Sequence, residues 1–462
     1  MSDRRVPLVV LGAGPAGVAA ARAAIEARVA VVLIDLGARL GGQYHRREPE
    51  AFATSAPGAL HHGWARWSED VTHLERSPRF THVAGAGVWA IQRLADGGMR
   101  IATDREDLPS FETDALIIAT GANERVVPFP GWDLPGVLTV GGAQALLKGQ
   151  GMRPGHAVVI SGAGPLLLPV AAALARVRTN IVALTDANDP RRWLSGSPRG
   201  IPLSKVREGA SHLATLARHG VRLRPRTAAI AAHGDGRVEE VVLARLERDW
   251  TPIPGSERTV AADALATSHG FVPDIGVAVG LGCRLDTQDA SAPAVVVDRS
   301  QATSVPGVWA AGEVTGIGGA DVAVHEGRVA GLAAALTLGG DVDEDEFERG
   351  IARRRADAPF LRTLAGVLTV GDGWTSWLTP DTTVCRCEEV TLATIDEAIE
   401  RRGACDLRSV KLTTRCGMGH CQARICGPSV AALLTARTGQ PPADAGALDR
   451  RPVLHPVPLG RL

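Results

Sequence analysis

Six of the seven cysteines stand at positions 385, 387, 405, 416, 421 and 426, in the last fifth of a 462-residue chain. Cys385-Arg386-Cys387 is followed, after 28 intervening residues, by Cys416-Gly417-Met418-Gly419-His420-Cys421, a C-x-C and then a C-x4-C spacing. Four thiolates at Cys385, Cys387, Cys416 and Cys421 suit either a [2Fe–2S] cluster or a tetrahedral zinc ion. Electrostatics favour the cluster. Its net negative charge grows on reduction, and Arg386, Lys411, Arg415 and Arg424 are spaced to offset it, while Gly417 and Gly419 leave backbone N–H groups free to approach sulfur. Cys405 and Cys426 read as packed thiols, although Cys426 repeats the same spacing beyond Cys421 and leaves the fourth ligand open. His420 reads as a neighbour hydrogen-bonding to sulfur. So dense a patch in a long chain points to metal ligation in a reducing compartment, not to a disulfide framework.

A second chemical signal lies at the other end. Gly12-Ala13-Gly14-Pro15-Ala16-Gly17 opens a helix directly after an apolar strand. In such a turn the first glycine permits the sharp bend, the second admits a pyrophosphate to the backbone, and the third lets helix pack on sheet. The helix N-terminus then offers unpaired N–H groups to the phosphates. Asp35 closes the next strand, where a carboxylate can accept from an adenosine ribose and would repel a 2′-phosphate.

The turn recurs as Gly162-Ala163-Gly164-Pro165-Leu166-Leu167, but Leu167 takes the third glycine position and should push the helix away. This second site is therefore expected to hold no redox nucleotide, NAD(P) included, or only an adenine nucleotide, despite Asp186 at the end of its following strand. Arg191 and Arg192 read as a solvated pair. Cys283 is the only cysteine before position 385, which excludes a dithiol beside either turn and with it disulfide reductase chemistry.

These residues need a scaffold. Residues 6–11, 15–28 and 30–35 read as strand, helix and strand, and 156–160, a helix to about 177 and 180–185 repeat the unit. Apolar runs at 115–119 and 307–311 read as returns to the first unit. The expected fold is α/β, with two Rossmann-like domains, the second inserted in the first, and a small helical [2Fe–2S] domain at the C-terminus. Its expected divisions are 1–145 and 263–340 for the first domain, 146–262 for the second, 341–380 for a charged connector, 381–440 for the cysteine domain and 441–462 for an extended tail that could wrap a neighbour. In the cysteine domain Thr391 should cap a helix carrying Leu392, Ile395 and Ile399 on one face and ending at Gly403, and a second helix should follow over 428–437. Fifty basic residues balance fifty acidic ones, so no global field points to nucleic acid or a membrane surface. The pair Arg4-Arg5 precedes too short an apolar run for an export signal, and no stretch is long enough to span a membrane. A cytoplasmic location follows as an expectation, with a peripheral place at the inner membrane left open.

Gly41-Gly42-Gln43, Ala119-Thr120-Gly121 and Ala311-Gly312-Glu313, in this order after the first turn, resemble the two-dinucleotide-binding-domain flavoproteins. That resemblance implies FAD in the first domain, held by Gly12, Gly14, Pro15, Ala16, Gly17 and Asp35. Gly42 and Gln43 would approach the flavin, Ala119, Thr120 and Gly121 would form the crossover beside it, and Val88 would join the lining. Gly312 and Glu313 would reach the ribityl chain, with Glu in place of the more usual Asp. Residues 384–390 and 414–422 resemble the bacterioferritin-associated-ferredoxin-like [2Fe–2S] domain fused to α subunits of heteromeric amino-acid dehydrogenases and oxidases, the opine, D-hydroxyproline, dye-linked L-proline and cyanide-forming glycine enzymes among them. This implies an FAD-containing β subunit that oxidises the amino or imino substrate, with a small third subunit left open. The present chain would relay the electrons towards a quinone or other acceptor, and no acid, base and arginine constellation for a substrate is found in it. The competing readings are an NAD(P)H-dependent ferredoxin or iron–sulfur reductase, which needs a working second turn, and a redox-silent scaffold.

Overall fold

Two parallel sheets organise the chain, whose computed structural model describes residues 4–48, 57–108, 110–195, 200–289, 291–451, 453–458 and 460. In the first sheet Phe80–Ala84, Val31–Asp35, Arg4–Leu11 and Phe111–Ile118 lie side by side and parallel. Strand Phe111–Ile118 serves two further partners. Its first half pairs antiparallel with Met99–Thr103, and its second half pairs parallel with Val308–Ala310, placing Ala310 opposite Ile118. The return of Val308–Ala310 after nearly two hundred residues makes the second domain an insertion, as the apolar run at 307–311 implied.

The central strand is apolar on both faces because both are packed, and Leu8, Val9 and Val10 are completely buried. One cover is an unusually close helix pair, Pro15–Glu26 and Ala320–Thr337. A Cβ on Gly327 would stand 2.1 Å from the Ala16 carbonyl oxygen and one on Gly331 2.3 Å from that of Ala20. Alanines on the first helix and glycines on the second thus allow backbone-to-backbone packing.

The second sheet runs Leu223–Pro225, Asn180–Asp186, Ala157–Gly162, Ala264–Ser268 and Val137–Thr139, all parallel. A three-stranded antiparallel sheet, Thr227–His233, Glu240–Arg245 and Arg258–Ala261, packs beside it. The charged connector contains a helix, Glu344–Ala356, with no buried residue. Asp343 caps it by accepting from the Asp345 and Glu346 N–H groups, and acids in its first turn and arginines in its last complement the helix dipole.

The cysteine region is a short hairpin, Thr383–Cys385 with Val390–Thr391, followed by helices Leu392–Arg402, Leu407–Thr414 and Gly427–Thr438. Thr391 Oγ1 accepts from the Thr394 N–H and Gly403 ends the helix at φ 68°, as expected. The middle helix was not anticipated. Its signal is local: the Asp406 side chain accepts from the Ser409 N–H while Ser409 Oγ accepts from the Asp406 N–H, a reciprocal cap. This region shares one apolar core with the second domain, through residues such as Phe129, Trp132, Trp250 and Trp377. The tail folds back on its own chain, with the Leu454 N–H bonded to the Trp89 carbonyl and Asp444 accepting from the Leu407 and Arg408 N–H groups.

Candidate functional site

The first glycine turn has the shape a dinucleotide requires. Gly12 adopts φ 102°, and a Cβ there would meet the Ala119 carbonyl oxygen at 2.3 Å; a Cβ on Gly17 would meet the Gly12 carbonyl oxygen at 1.8 Å. Gly14 has nothing within 4 Å of its Cβ position, so this face of the turn is open to a ligand. Helix Pro15–Glu26 starts immediately, with Gly14 as its N-cap and Pro15 at its first position. Asp35 braces the turn, accepting from Ala13 N at 2.6 Å and Gly37 N at 2.6 Å.

Of the other residues expected at the flavin, Gly42, Ala119 and Gly312 lie against this turn. Gly41 donates its N–H to the Ala13 carbonyl at 2.8 Å, and a Cβ on Gly42 would lie 2.8 Å from Gly14 Cα. Gln43 is exposed and accepts from Arg46. Val88 opens strand Val88–Arg93 and is partly buried. The Ala119 N–H bonds to the Leu11 carbonyl, Thr120 Oγ1 donates to the Asp274 carbonyl at 2.7 Å, and Gly121 has nothing within 4 Å of its Cβ position. Gly312, at φ 82°, lies against Ala16. Glu313 accepts from the Gly319 N–H at 2.7 Å, and burial pushes its carboxyl up to about 7. His45 stacks on Trp67 at a centroid separation of 4.8 Å, and burial pushes it down to about 4, which favours a neutral packing role.

The second turn is built differently. Helix Leu167–Arg176 begins two residues later, relative to its first glycine, than the helix of the first turn, and Leu167 is buried in its core. The helix start is thus set back from the glycines, and the connector covers what remains. Leu368 Cδ2 lies 2.9 Å from the Cβ position of Gly164 and 3.7 Å from that of Gly270. Asn188 Nδ2 donates to the Val367 carbonyl at 2.8 Å, and Arg192, read from sequence as solvated, donates to the Thr369 carbonyl at 3.3 Å. Asp186, the residue that would hold a ribose, is partly buried, pushed up to about 7 by desolvation, and engaged by the Asn188 N–H. The Trp250 indole N–H donates to Asn188 Oδ1 at 3.0 Å. Asn188→Ala therefore strands a buried carbonyl and a buried indole N–H, at about 1–3 kcal/mol each. The expected outcome is a thermal midpoint several degrees lower by scanning calorimetry, whereas an unchanged midpoint would show that Asn188 does not anchor the connector.

At the other end of the chain, five cysteines converge. The Sγ atoms of Cys385, Cys416 and Cys426 lie within 4.8 Å of one another, all three buried. The thiol of Cys421 is pushed up by burial and by its neighbours Cys387 and Cys385. Cys426, expected as a packed thiol, thus stands within the sulfur group, while Cys405 is exposed and outside it. Hydrogen bonds from Cys416 and Cys426, then from the Gly417 and Glu388 N–H groups, hold the Cys385 thiol far below its ordinary range, the pattern of a thiolate. The loops wind tightly to bring this about. Glu389, Arg415, Gln422 and Ala423 all take positive φ, at roughly 1–2 kcal/mol each for a non-glycine residue. A Cβ on Gly419 would stand 2.2 Å from Cys387 Cβ, so only glycine fits beside that ligand position. Five thiols converging on one small volume fit the donor chemistry of an iron–sulfur cluster.

The basic residues are deployed otherwise than their spacing suggested. Arg386 stacks on Trp132 at 5.2 Å, and Arg415 pairs with Glu388 at 2.8 Å. Arg424 reaches Asp274 Oδ2 at 3.4 Å. Asp274 is the residue whose carbonyl accepts from Thr120 and whose N–H bonds to the Gly121 carbonyl at 2.9 Å. One aspartate therefore joins the cysteine loop to the crossover at the first nucleotide site. Sequence reasoning missed Arg451, which lies beside the same group, buried and paired with Asp449 at 3.0 Å. It sits in the proline-rich stretch, where composition suggested only an extended tail.

Residues 6–327 match the family described as pyridine nucleotide-disulphide oxidoreductase, and residues 383–436 match the BFD-like [2Fe-2S] binding domain. The sequence is similar to one subunit of the opine oxidase of Agrobacterium tumefaciens, 33% identical over 98% of this chain and 91% of that one. It is also similar to hydrogen cyanide synthase subunit HcnB of Pseudomonas aeruginosa, 31% identical over 98% of this chain and 97% of that one. Its fold is similar to that of L-proline dehydrogenase from P. horikoshii, with a TM-score of 0.72 and 20% identity, covering 100% of this chain and 80% of that one.

Proposed function

Because the chain belongs to the pyridine nucleotide-disulphide oxidoreductase family, as an oxidoreductase with an FAD-type fold and a BFD-like [2Fe-2S] binding domain, we propose that it is the electron-transferring subunit of a heteromeric amino-acid, opine or imino-acid dehydrogenase. Substrate would be oxidised in a partner flavoprotein. The observation that carries the reading is Asp274, which bonds at once to Arg424 of the cysteine loop and to Thr120 of the crossover.

Gly12, Gly14, Pro15, Ala16, Gly17 and Asp35 would hold the FAD pyrophosphate and ribose. Gly42, Gln43, Val88, Ala119, Thr120, Gly121, Gly312 and Glu313 would line its remainder. Cys385, Cys387 and Cys421, with a fourth thiolate from the same loop, would hold the cluster. When bound, the flavin exchanges two electrons and the cluster one, which lets a two-electron oxidation be divided into single steps. This chain's residues link the two sites through Asp274, shield Cys385, Cys416 and Cys426 from water, and place Arg451 close enough to Cys421 to feel its charge. The domain divisions at 145, 262, 340, 380 and 440 are part of this proposal.

The filled second cleft speaks against the competing NAD(P)H-dependent reductase, since Leu368 sits where the nucleotide backbone approaches Gly164. No described helix is long and apolar enough to cross a membrane. A cytoplasmic location with the acceptor, a quinone or other carrier, met at the inner membrane fits the free thiols. The test is anaerobic bleaching of flavin and cluster in the purified chain, alone and with its partner flavoprotein. NADH and NADPH should bleach the isolated chain at least about a hundredfold more slowly than an amino acid or opine bleaches the pair, a difference of about 2.7 kcal/mol in barrier. Rapid bleaching of the isolated chain by NADH would overturn the proposal.

A further inference from the structure

A [2Fe–2S] cluster takes four protein ligands, and this chain assembles five thiols around one position. The surplus lies in one loop, where Cys416-x4-Cys421-x4-Cys426 places a cysteine at equal spacing on either side of Cys421. Both outer sulfurs meet the same partner: Cys416 and Cys426 lie within 4.8 Å of Cys385 and of each other.

Each is also fixed from its own side. Cys416 follows helix Leu407–Thr414 and donates its N–H to Thr414 Oγ1 at 3.1 Å. Cys426 is the N-cap of helix Gly427–Thr438 and accepts from the Val430 N–H at 2.9 Å. Neither is a thiol that has drifted in from a loose segment. Both are almost fully buried, at 2% and 3% exposure, so the one that is not a ligand remains inside the sulfur shell.

We infer that Cys416 and Cys426 are interchangeable fourth ligands of the iron–sulfur centre, completing in turn the set begun by Cys385, Cys387 and Cys421. The inference rests on the cluster assignment made above. Exchange between them involves no net redox change. The bond from iron to one sulfur breaks as the bond to the other forms, and the entering thiol gives up its proton as the departing thiolate takes one. A spare thiol already inside the shell replaces a lost ligand without opening the site to water. It would also give the centre two ligand states, since Cys416 lies beside Gly417 and Thr414 and Cys426 at the start of a helix, where backbone N–H groups raise the potential of a bound sulfur.

The experiment uses the full chain, purified and reconstituted anaerobically, as Cys416→Ser, Cys426→Ser and the double variant. Iron and sulfide content and the electron paramagnetic resonance of the reduced cluster are read. Flavin content and circular dichroism report the fold. Each single variant should keep the full iron and sulfide of the unsubstituted chain, with resonance positions that differ between the two, and the double variant should lose the cluster while keeping its flavin. Loss of the cluster in one single variant, with an unchanged spectrum in the other, identifies a fixed fourth ligand and overturns the inference. So does a cluster retained in the double variant. Alanine replacements serve where serine disturbs folding. If neither position tolerates either substitution with flavin retained, both sulfurs are required together and interchangeability again fails. An unsubstituted chain that binds no cluster defeats the underlying assignment instead.

Discussion

Gly17→Val is expected to strip the chain of FAD. The Cβ of any residue at this position would stand 1.8 Å from the Gly12 carbonyl oxygen and 3.4 Å from Val10 Cγ1. The first of these obstacles is backbone, which cannot rotate away, and Gly12 is itself pinned because its own Cβ position lies 2.3 Å from the Ala119 carbonyl oxygen. The helix must therefore lift off the sheet. Overpacking of this kind costs about 1–3 kcal/mol in an adaptable core, and more where backbone must move. Lifting the helix also withdraws its N-terminal N–H groups from the phosphates, so the loss of affinity should exceed about a hundredfold. The flavin-to-protein ratio after gel filtration checks this, with titration of FAD into the deflavinated chain. Gly14→Ala supplies the contrast. Nothing lies within 4 Å of its Cβ position, so the apoprotein should keep its thermal midpoint while binding FAD more weakly, because the added methyl occupies ligand space. A Gly17→Val chain that retains stoichiometric flavin would remove the basis for placing the pyrophosphate at this turn.

That argument depends on features legible in the sequence because they are local. Three glycines, the strand before them and Asp35 after them lie within thirty residues, and the physical demand of a tight turn singles out glycine at each place. The helix from Leu392 and its Thr391 cap were legible for the same reason. Leu167 was legible only in part. Its bulk was expected to push the helix away, whereas the helix keeps its packing and starts later, with Leu167 buried as an ordinary core residue. The contact that closes the second cleft was not legible, because Leu368 reaches Gly164 across some two hundred residues and an apolar residue after a helix carries no mark of its partner. Arg451 and Asp274 were missed likewise, since an arginine in a proline-rich tail and an aspartate after a strand look solvated until folding brings both to the cysteine loop.

Cys387→Ser tests the relay itself, and its expected effect is the larger on electron flow. Cys387 is the exposed member of the C-x-C pair, so a serine there disturbs no apolar core, and Gly419, whose Cβ position lies 2.2 Å from Cys387 Cβ, leaves room for the side chain. Unlike the fourth position, the sulfur beside this one, Cys421, already belongs to the proposed ligand set and is no spare. Serine presents a far weaker ligand for iron than thiolate, and the reduced-cluster resonance should vanish while flavin stays bound at its turn, on the far side of Asp274. With the partner flavoprotein and its substrate, the partner's flavin should still be reduced, but transfer to an external acceptor should fall by about a hundredfold or more, because the single-electron station is gone. The scaffold reading gives the opposite result. A chain whose cofactors only support assembly would, once folded and bound to its partner, sustain acceptor reduction at the original rate. Flavin content and co-purification of the partner establish that the variant is assembled, so a preserved rate in an assembled, cluster-free complex would refute electron transfer through the cysteine domain.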